Sequence, residues 1–360
     1  MQKQKFRNSF VFSLSEFSGA LADLGVMLPL ILALISINGM DAAPVFVGVG
    51  IAYILVAFIY RLPIPIQPLK SVSGVALALG LSPAVIVTGA IWNALTFLGM
   101  GFGKLDRWVI KAFPKPVIRG IQLGLSWLLF KSAWNLFSQP STPWQGGLSI
   151  SNQTIAWVWI LISGGAIFLL VFLSWKKDFA ALGVVTFGVG ISVFHLGLPP
   201  LTLQLTIPRL LPLVPTAEQL WQGLILLAIP QIPLSLGNSI CATADTAKRY
   251  FGKRANHVTE QKLMITMGAI DGITAMLGGI PLCHGSGGLT AHYRLGARTG
   301  GAPLMIGGIF LALGLLGGQA SMQIFGLIPF PVLGVLLAYI GIQHMQLALD
   351  LKGRRDWITA

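Results

Sequence analysis

Apolar residues in this chain come in long, nearly continuous runs, without the alternation of a half-buried strand or the one-sided stripe of a surface helix. The runs lie near residues 13–37, 43–60, 69–80, 83–103, 117–137, 154–174, 180–197, 220–246, 261–280, 286–296, 302–318 and 321–349, each bounded by glycine, proline or clustered charge. A helix needs about 20 mostly apolar residues to cross a hydrocarbon core roughly 30 Å thick. The pattern therefore predicts an all-α membrane protein. With some runs short enough to be half-crossings and the last stretch, 321–349, read as two short helices, the total approaches fourteen transmembrane segments.

Composition agrees. Of 360 residues, 54% are hydrophobic and 10% charged, against about 25% charged in a soluble domain. The first run continues past Glu16 and Asp23 with no small-residue cleavage pattern, so it reads as a retained helix and not a cleaved signal. Cys241 and Cys283 both sit in apolar surroundings, which excludes a disulfide scaffold and a Cys-x-x-Cys metal site; no cofactor is expected.

The formal charge of +13 falls in short clusters between apolar runs and forms no continuous basic face, which argues against nucleic acid as a partner. The clusters are Lys3/Lys5/Arg7, Arg61, Lys104/Arg107/Lys111, Lys176/Lys177, Lys248/Arg249/Lys253/Arg254, Arg294/Arg298 and Lys352/Arg354/Arg355. With fourteen spans they all fall on one side, which the positive-inside rule makes cytoplasmic, both termini included. The proline-rich stretch from Leu198 to Pro215 then reads as an external connection. It divides the chain into 1–197, a first half of seven segments, a linker at 198–219, and 220–360, a second half. Gly19 and Gly237 are 218 residues apart, as are Pro63 and Pro281. An odd number of helices per half makes such repeats inverted, the construction of many secondary transporters.

Two interruptions carry the candidate chemistry. Pro63-Ile64-Pro65-Ile66-Gln67-Pro68-Leu69-Lys70-Ser71 cannot be a continuous helix. Pro68 is expected to start a half-helix whose first amides, at Leu69, Lys70 and Ser71, point inward. The matching break is Gly278 to Gly288, with Cys283, His284, Gly285, Ser286 and Gly287 leading into a second short helix. Non-helical backbone at membrane depth has to line a cavity or be satisfied by protein, and two opposed helix N-termini favour an anion. Gln67, Gln231, Asn238, Ser239 and Ser286 are candidate donors. A serine-hydrolase elbow is excluded, because His284 stands where Gly-x-Ser-x-Gly needs its first glycine.

Ionisable groups inside a bilayer cost several kcal/mol and face the protein interior or a water path. Glu16, Asp23, Asp245 and Asp271 are therefore functional candidates. Asp245 has a competing reading, pairing with Lys248 or Arg249 at the membrane surface. His284 reads either as a proton carrier and substrate donor or as a packed side chain.

The runs Glu16 to Gly25, Pro65 to Lys70, Pro230 to Ser239, Pro281 to Gly288 and His292 to Gly300 together resemble the molybdate transporter (MOT1-type) family, related to the sulfate permeases. The resemblance covers most of the chain in order. It implies the seven-plus-seven inverted repeat shared with sulfate permeases and nucleobase transporters, with a core domain rocking against a gate domain. Many sulfate permeases append a cytoplasmic STAS domain; here about ten residues follow the last apolar segment, as expected for the molybdate group.

The expected activity is import of a tetrahedral oxyanion, molybdate or sulfate, by alternating access at the inner (plasma) membrane. Gln67, Leu69, Lys70, Ser71, Gln231, Asn238, Ser239, His284, Gly285, Ser286 and Gly287 would form its site. Moving a dianion inward against 100 mV costs about 4.6 kcal/mol, so a coupled proton is expected, with Glu16, Asp23 and His284 as candidate carriers. A nucleobase or bicarbonate carrier, or an anion channel, on the same fold is the competing expectation, and a homodimer is left open.

Overall fold

The structure, a computed structural model, describes residues 10–138, 160, 163–169, 171–172, 175, 179–199 and 204–350. The basic clusters at Lys3/Lys5/Arg7, Lys176/Lys177 and Lys352/Arg354/Arg355, and most of the run at 154–174, lie outside them.

The chain opens with α1 (Leu14–Leu21) and α2 (Leu24–Ser36), one apolar segment bent by 49° at Ala22 and Asp23. Ser13 caps α1 by accepting from the Glu16 amide. Next come α3 (Ala42–Tyr60), the two-residue strand β1 (Gln67–Pro68), α4 (Lys70–Leu79), α5 (Pro83–Phe102), the short α6 (Asp106–Ala112), α7 (Lys115–Ser138) and α8 (Ala180–Leu196). The second half begins with α9 (Ala217–Ala255), whose ladder loosens to π geometry at Gly223–Ala228 and Ser235–Ala242. Pro230 and Pro233 lie between these loosened turns, where each removes an intrahelical donor. It continues with α10 (Glu260–Leu277), β2 (Leu282–Cys283), α11 (Ser286–Arg294), α12 (Gly301–Leu315), α13 (Gly318–Gly326) and α14 (Phe330–Met345).

Several elements recur in the same order at a near-constant spacing along the chain. The starts of α3 and α10, of β1 and β2, of α4 and α11, of α5 and α12 and of α7 and α14 are separated by 215 to 218 residues. Packing crosses between them: α3 lies along α12, α5 along α10 and α7 along α14. Small residues make these approaches close, as in membrane helix pairs generally. A Cβ on Gly50 would stand 2.5 Å from the Leu311 amide nitrogen, and one on Gly307 2.8 Å from Tyr53 Cβ. Phe46 of α3, Phe310 of α12 and Phe325 of α13 pack together at one end of the α3–α12 seam, with ring centroids 4.9 to 5.8 Å apart.

Among the described residues four helices are long and apolar enough to cross a membrane, α3, α5, α9 and the 330–349 stretch, and the bent α1–α2 pair adds a fifth. The stretch at 321–349 holds two helices, the end of the nine-residue α13 and the longer α14, which together with the turn that follows it is long enough to cross a membrane. Pro329 is the N-cap of α14 and Pro331 sits in its first turn, where a missing amide costs no intrahelical bond. The described part of the linker is extended. Its amides at Gln204, Thr206 and Leu211 donate to the carbonyls of Leu316, Leu315 and Met276, the orphan acceptors at the ends of α12 and α10.

Candidate functional site

The two interruptions meet. β1 and β2 pair antiparallel, with Gln67 opposite Cys283 and Pro68 opposite Leu282, and the Leu69 amide donates to the Pro281 carbonyl at 3.1 Å. Each break thereby satisfies the backbone of the other inside an apolar protein, where unpaired amides would cost most. Asp271, fully buried on α10, fastens β2 by accepting the Leu282 amide at 2.7 Å.

Of the two helices that leave this pair, α4 starts later than the sequence suggested. Pro68 belongs to β1, Leu69 is the N-cap of α4, and the helix begins at Lys70. The Leu69 amide, expected to face an anion, is consumed by the pairing with Pro281, so the first turn of α4 presents Lys70 and Ser71. On the other side Gly285 is the N-cap of α11, whose first turn carries Ser286, Gly287 and Gly288. The two first turns leave their amides without intrahelical partners.

Around these turns polar side chains converge. Gln67 donates through Nε2 to Asp23 Oδ1, and its Oε1 finds no partner among the described residues. Asp23, at the bend between α1 and α2, also accepts from the Tyr53 hydroxyl at 3.1 Å. His292 Nε2 stands 4.0 Å from Asp23 Oδ2. Lys70 Nζ is buried with no hydrogen-bond partner among the described residues, within electrostatic range of Asp23, Cys283 and His344. Ser286 donates to Asn238 Oδ1 at 2.7 Å, and its hydroxyl lies 3.3 Å from His344 Nε2, while His344 Nδ1 meets Thr290 at 2.9 Å. Ser239 is buried beside the Cys283 thiol.

Glycines at α11 make room for this arrangement. A Cβ on Gly285 would lie 2.5 Å from Gln67 Oε1, and one on Gly288 would lie 2.4 Å from Gln67 Nε2 and 2.7 Å from Asp23 Oδ1. The amide of Gln67 is thus packed flat on the start of α11.

The structure brings Gln67, Lys70, Asp23, Asn238, Ser239 and Ser286 together with the first turns of α4 and α11, and separates others. Gln231 donates to Ser235 within α9, leaving its Oε1 without a partner among the described residues. His284 has both ring nitrogens engaged: Nδ1 faces the Pro65 carbonyl at 3.3 Å and Nε2 meets Thr266 at 2.9 Å, which in turn meets Tyr60. Glu16 accepts the backbone amides of Arg298 and Thr299 at 3.0 and 3.2 Å, pinning the loop before α12. Asp245 pairs with Arg119 of α7, and Lys248 with Glu260 instead. Tyr53, His292, His344 and Arg119 were not singled out as site candidates. His344 carried the clearest signal, as a histidine in a stretch without lysine or arginine; His292 was read only as part of a longer motif. Among the described residues no three His, Cys, Asp or Glu side chains gather into a metal-binding group.

Comparison with known proteins places this geometry in context. The family described as "Molybdate transporter of MFS superfamily" matches residues 15–129 and 223–343, stretches that contain Asp23, Gln67 and Lys70 on one side and Asn238, Ser286 and His292 on the other. Molybdate transporter 2 of Arabidopsis thaliana is 27% identical over 95% of this chain and 80% of its own length. Molybdate transporter 1 of the same plant is 27% identical over 98% of this chain and 84% of its own. The transmembrane domain of the cyanobacterial bicarbonate transporter BicA superposes with a TM-score of 0.62 at 18% identity, covering 96% of this chain and 92% of that one. The last likeness shows a shared fold. With the family match running through both halves of the site and the apolar helices that carry them, this chain is a multi-pass membrane protein that belongs to the molybdate transporter family.

Proposed function

We propose that the chain is a secondary active transporter that imports molybdate, with sulfate as the competing tetrahedral dianion, together with a proton. The observation that carries this reading is the buried ammonium of Lys70 at the start of α4, which has no hydrogen-bond partner among the described residues. A buried ammonium without a hydrogen-bond acceptor is costly. A dianion seated between the first turns of α4 and α11 would supply that acceptor and accept from the amides of both turns. Ser286 and Asn238 would add side-chain contacts from the second half, while Gln67 shapes the floor.

The alternating arrangement would follow from the repeat. The spacing of 215 to 218 residues between corresponding elements supports two halves, 1–197 and 220–360, joined by the 198–219 linker and inverted with respect to each other. The substrate site lies where their breaks meet, and α7 and α14 form a pair of their own beside it. In this proposal the elements around β1 and β2 rock against that pair, and the basic clusters place both termini in the cytoplasm.

Bicarbonate is the second reading, favoured by the fold shared with the BicA transmembrane domain. Uptake of labelled molybdate into proteoliposomes of the purified chain, competed by sulfate, bicarbonate and uracil, separates them. Saturable uptake blocked by unlabelled molybdate or sulfate supports the oxyanion carrier. Bicarbonate or uracil transport without molybdate uptake overturns the substrate, and unsaturable flux overturns the carrier.

A further inference from the structure

We propose that Asp23 and His292 jointly bind the coupled proton, and that Gln67 links that proton to the bound oxyanion. The proposal rests on the oxyanion-import reading above and names the residues that would carry its coupling.

The geometry is that of a pair short of one hydrogen. His292 Nδ1 lies 2.8 Å from the Pro63 carbonyl, which accepts only; the ring therefore donates there, and in its neutral form Nε2 is an acceptor. That Nε2 is fully buried, has no hydrogen-bond partner among the described residues, and faces Asp23 Oδ2 across 4.0 Å. Two acceptors facing one another cannot bond, whereas a single added proton would be shared between them and close the gap. Among the described residues no other carboxylate is paired with a histidine. Glu16 holds two backbone amides, Asp271 holds the Leu282 amide through Oδ1 while its Oδ2 has no partner among the described residues, and the partly exposed Asp245 holds Arg119. His284 has both nitrogens engaged, and so has His344.

The surroundings connect this proton to substrate. The charged and titratable groups facing the pair are Tyr53 from α3, Lys70 from α4 and Cys283 from β2, with Lys70 the cation among them. Without substrate, Lys70 is the positive charge that favours ionised Asp23. A dianion arriving at the first turns of α4 and α11 engages Lys70 and adds negative potential, so the Asp23–His292 pair takes up a proton more readily. By linkage, the protonated pair binds the dianion more tightly. Gln67 spans the two, donating to Asp23 while its Oε1 packs on Gly285 at the start of α11. Protonating Asp23 weakens that bond and loosens the floor of the site at the moment it fills.

The test uses the purified full chain in proteoliposomes, with labelled molybdate as probe, and compares wild type with Asp23→Asn and His292→Gln. Two rates are taken: net uptake driven by an inward proton gradient, and molybdate–molybdate counterflow without one. For one coupled proton, each pH unit of gradient raises wild-type accumulation about tenfold. In both variants the ratio of gradient-driven uptake to counterflow is expected to fall toward one. A second measurement, proton uptake from weakly buffered detergent solution on adding molybdate, is expected to give about one proton per molybdate bound in wild type and none in either variant. If Asp23→Asn binds no molybdate, His292→Gln decides alone, because the ring does not touch the proposed substrate position. Either variant retaining the wild-type gradient response or proton uptake overturns the proposal. Wild-type uptake that is saturable but indifferent to pH overturns it while leaving the oxyanion carrier standing, whereas a wild type that carries no oxyanion overturns both.

Discussion

At the scale of single residues, the carboxylates differ in what they bind: Glu16 and Asp271 accept backbone amides, Asp245 pairs with Arg119, and Asp23 accepts from Gln67 and Tyr53. All four carboxylates in apolar runs were candidates, Asp245 with a competing surface pairing, since each is costly in a bilayer. Glu16 and Asp271 turn out to bind backbone amides, which no spacing along the chain reveals because their partners lie 283 and 11 residues away. Glu16→Gln is therefore expected to lower stability by about 1–3 kcal/mol, as one amide loses its charged acceptor and another meets an NH₂ group. Thermal unfolding in detergent would show the loss, while the dependence of uptake on a proton gradient stays as in wild type. Lys70→Gln tests the opposite kind of residue. Removing a buried cation from its dianion is expected to cost about 2–5 kcal/mol of binding, a rise of roughly thirtyfold or more in the molybdate KM. Gly288→Ala would drive a methyl into Gln67 Nε2 and Asp23 Oδ1, and is expected to abolish high-affinity uptake with the protein still inserted and extractable.

Elements come next. The proline-broken segments were legible as breaks because proline cannot continue a helix. That β1 and β2 would pair with each other, and in which register, was not, because a two-residue strand has no pattern of its own. The pairing moves the start of α4 from Pro68 to Lys70 and takes the Leu69 amide out of the site. Helix packing shows the same division. Gly50 and Gly307 carry no mark of their own along the chain, and only the crossing of α3 and α12 shows that their missing side chains set the distance. Gly50→Val would place Cβ 2.5 Å from a backbone nitrogen that cannot rotate away. The expected result is a destabilisation of about 1–3 kcal/mol or more, read as earlier thermal unfolding.

For the whole molecule the consequences are electrical. A dianion accompanied by one proton carries one net negative charge inward. An inside-negative potential of 100 mV opposes that charge by about 2.3 kcal/mol, roughly a fiftyfold lower accumulation. Imposing potassium–valinomycin potentials of either sign on proteoliposomes at fixed pH should therefore shift molybdate accumulation in opposite directions. Uptake insensitive to potential would point to two protons per oxyanion and to a second proton site beyond Asp23 and His292.

Membrane residence, the apolar spans, the two broken segments and the family resemblance were all present in the linear order of residues, because hydrophobic length and proline chemistry are local properties. Gln67, Lys70, Asn238 and Ser286 could be named for the same reason, as polar groups beside helix breaks. What needed the fold was everything that depends on which break faces which helix. The tertiary arrangement withdrew His284 into packing, assigned Asp245 to Arg119 and brought His292 of α11 to Asp23, 269 positions earlier in the chain. A proton or an anion is held by groups arriving from several helices at once, and their convergence is set by helix crossings that no single segment encodes.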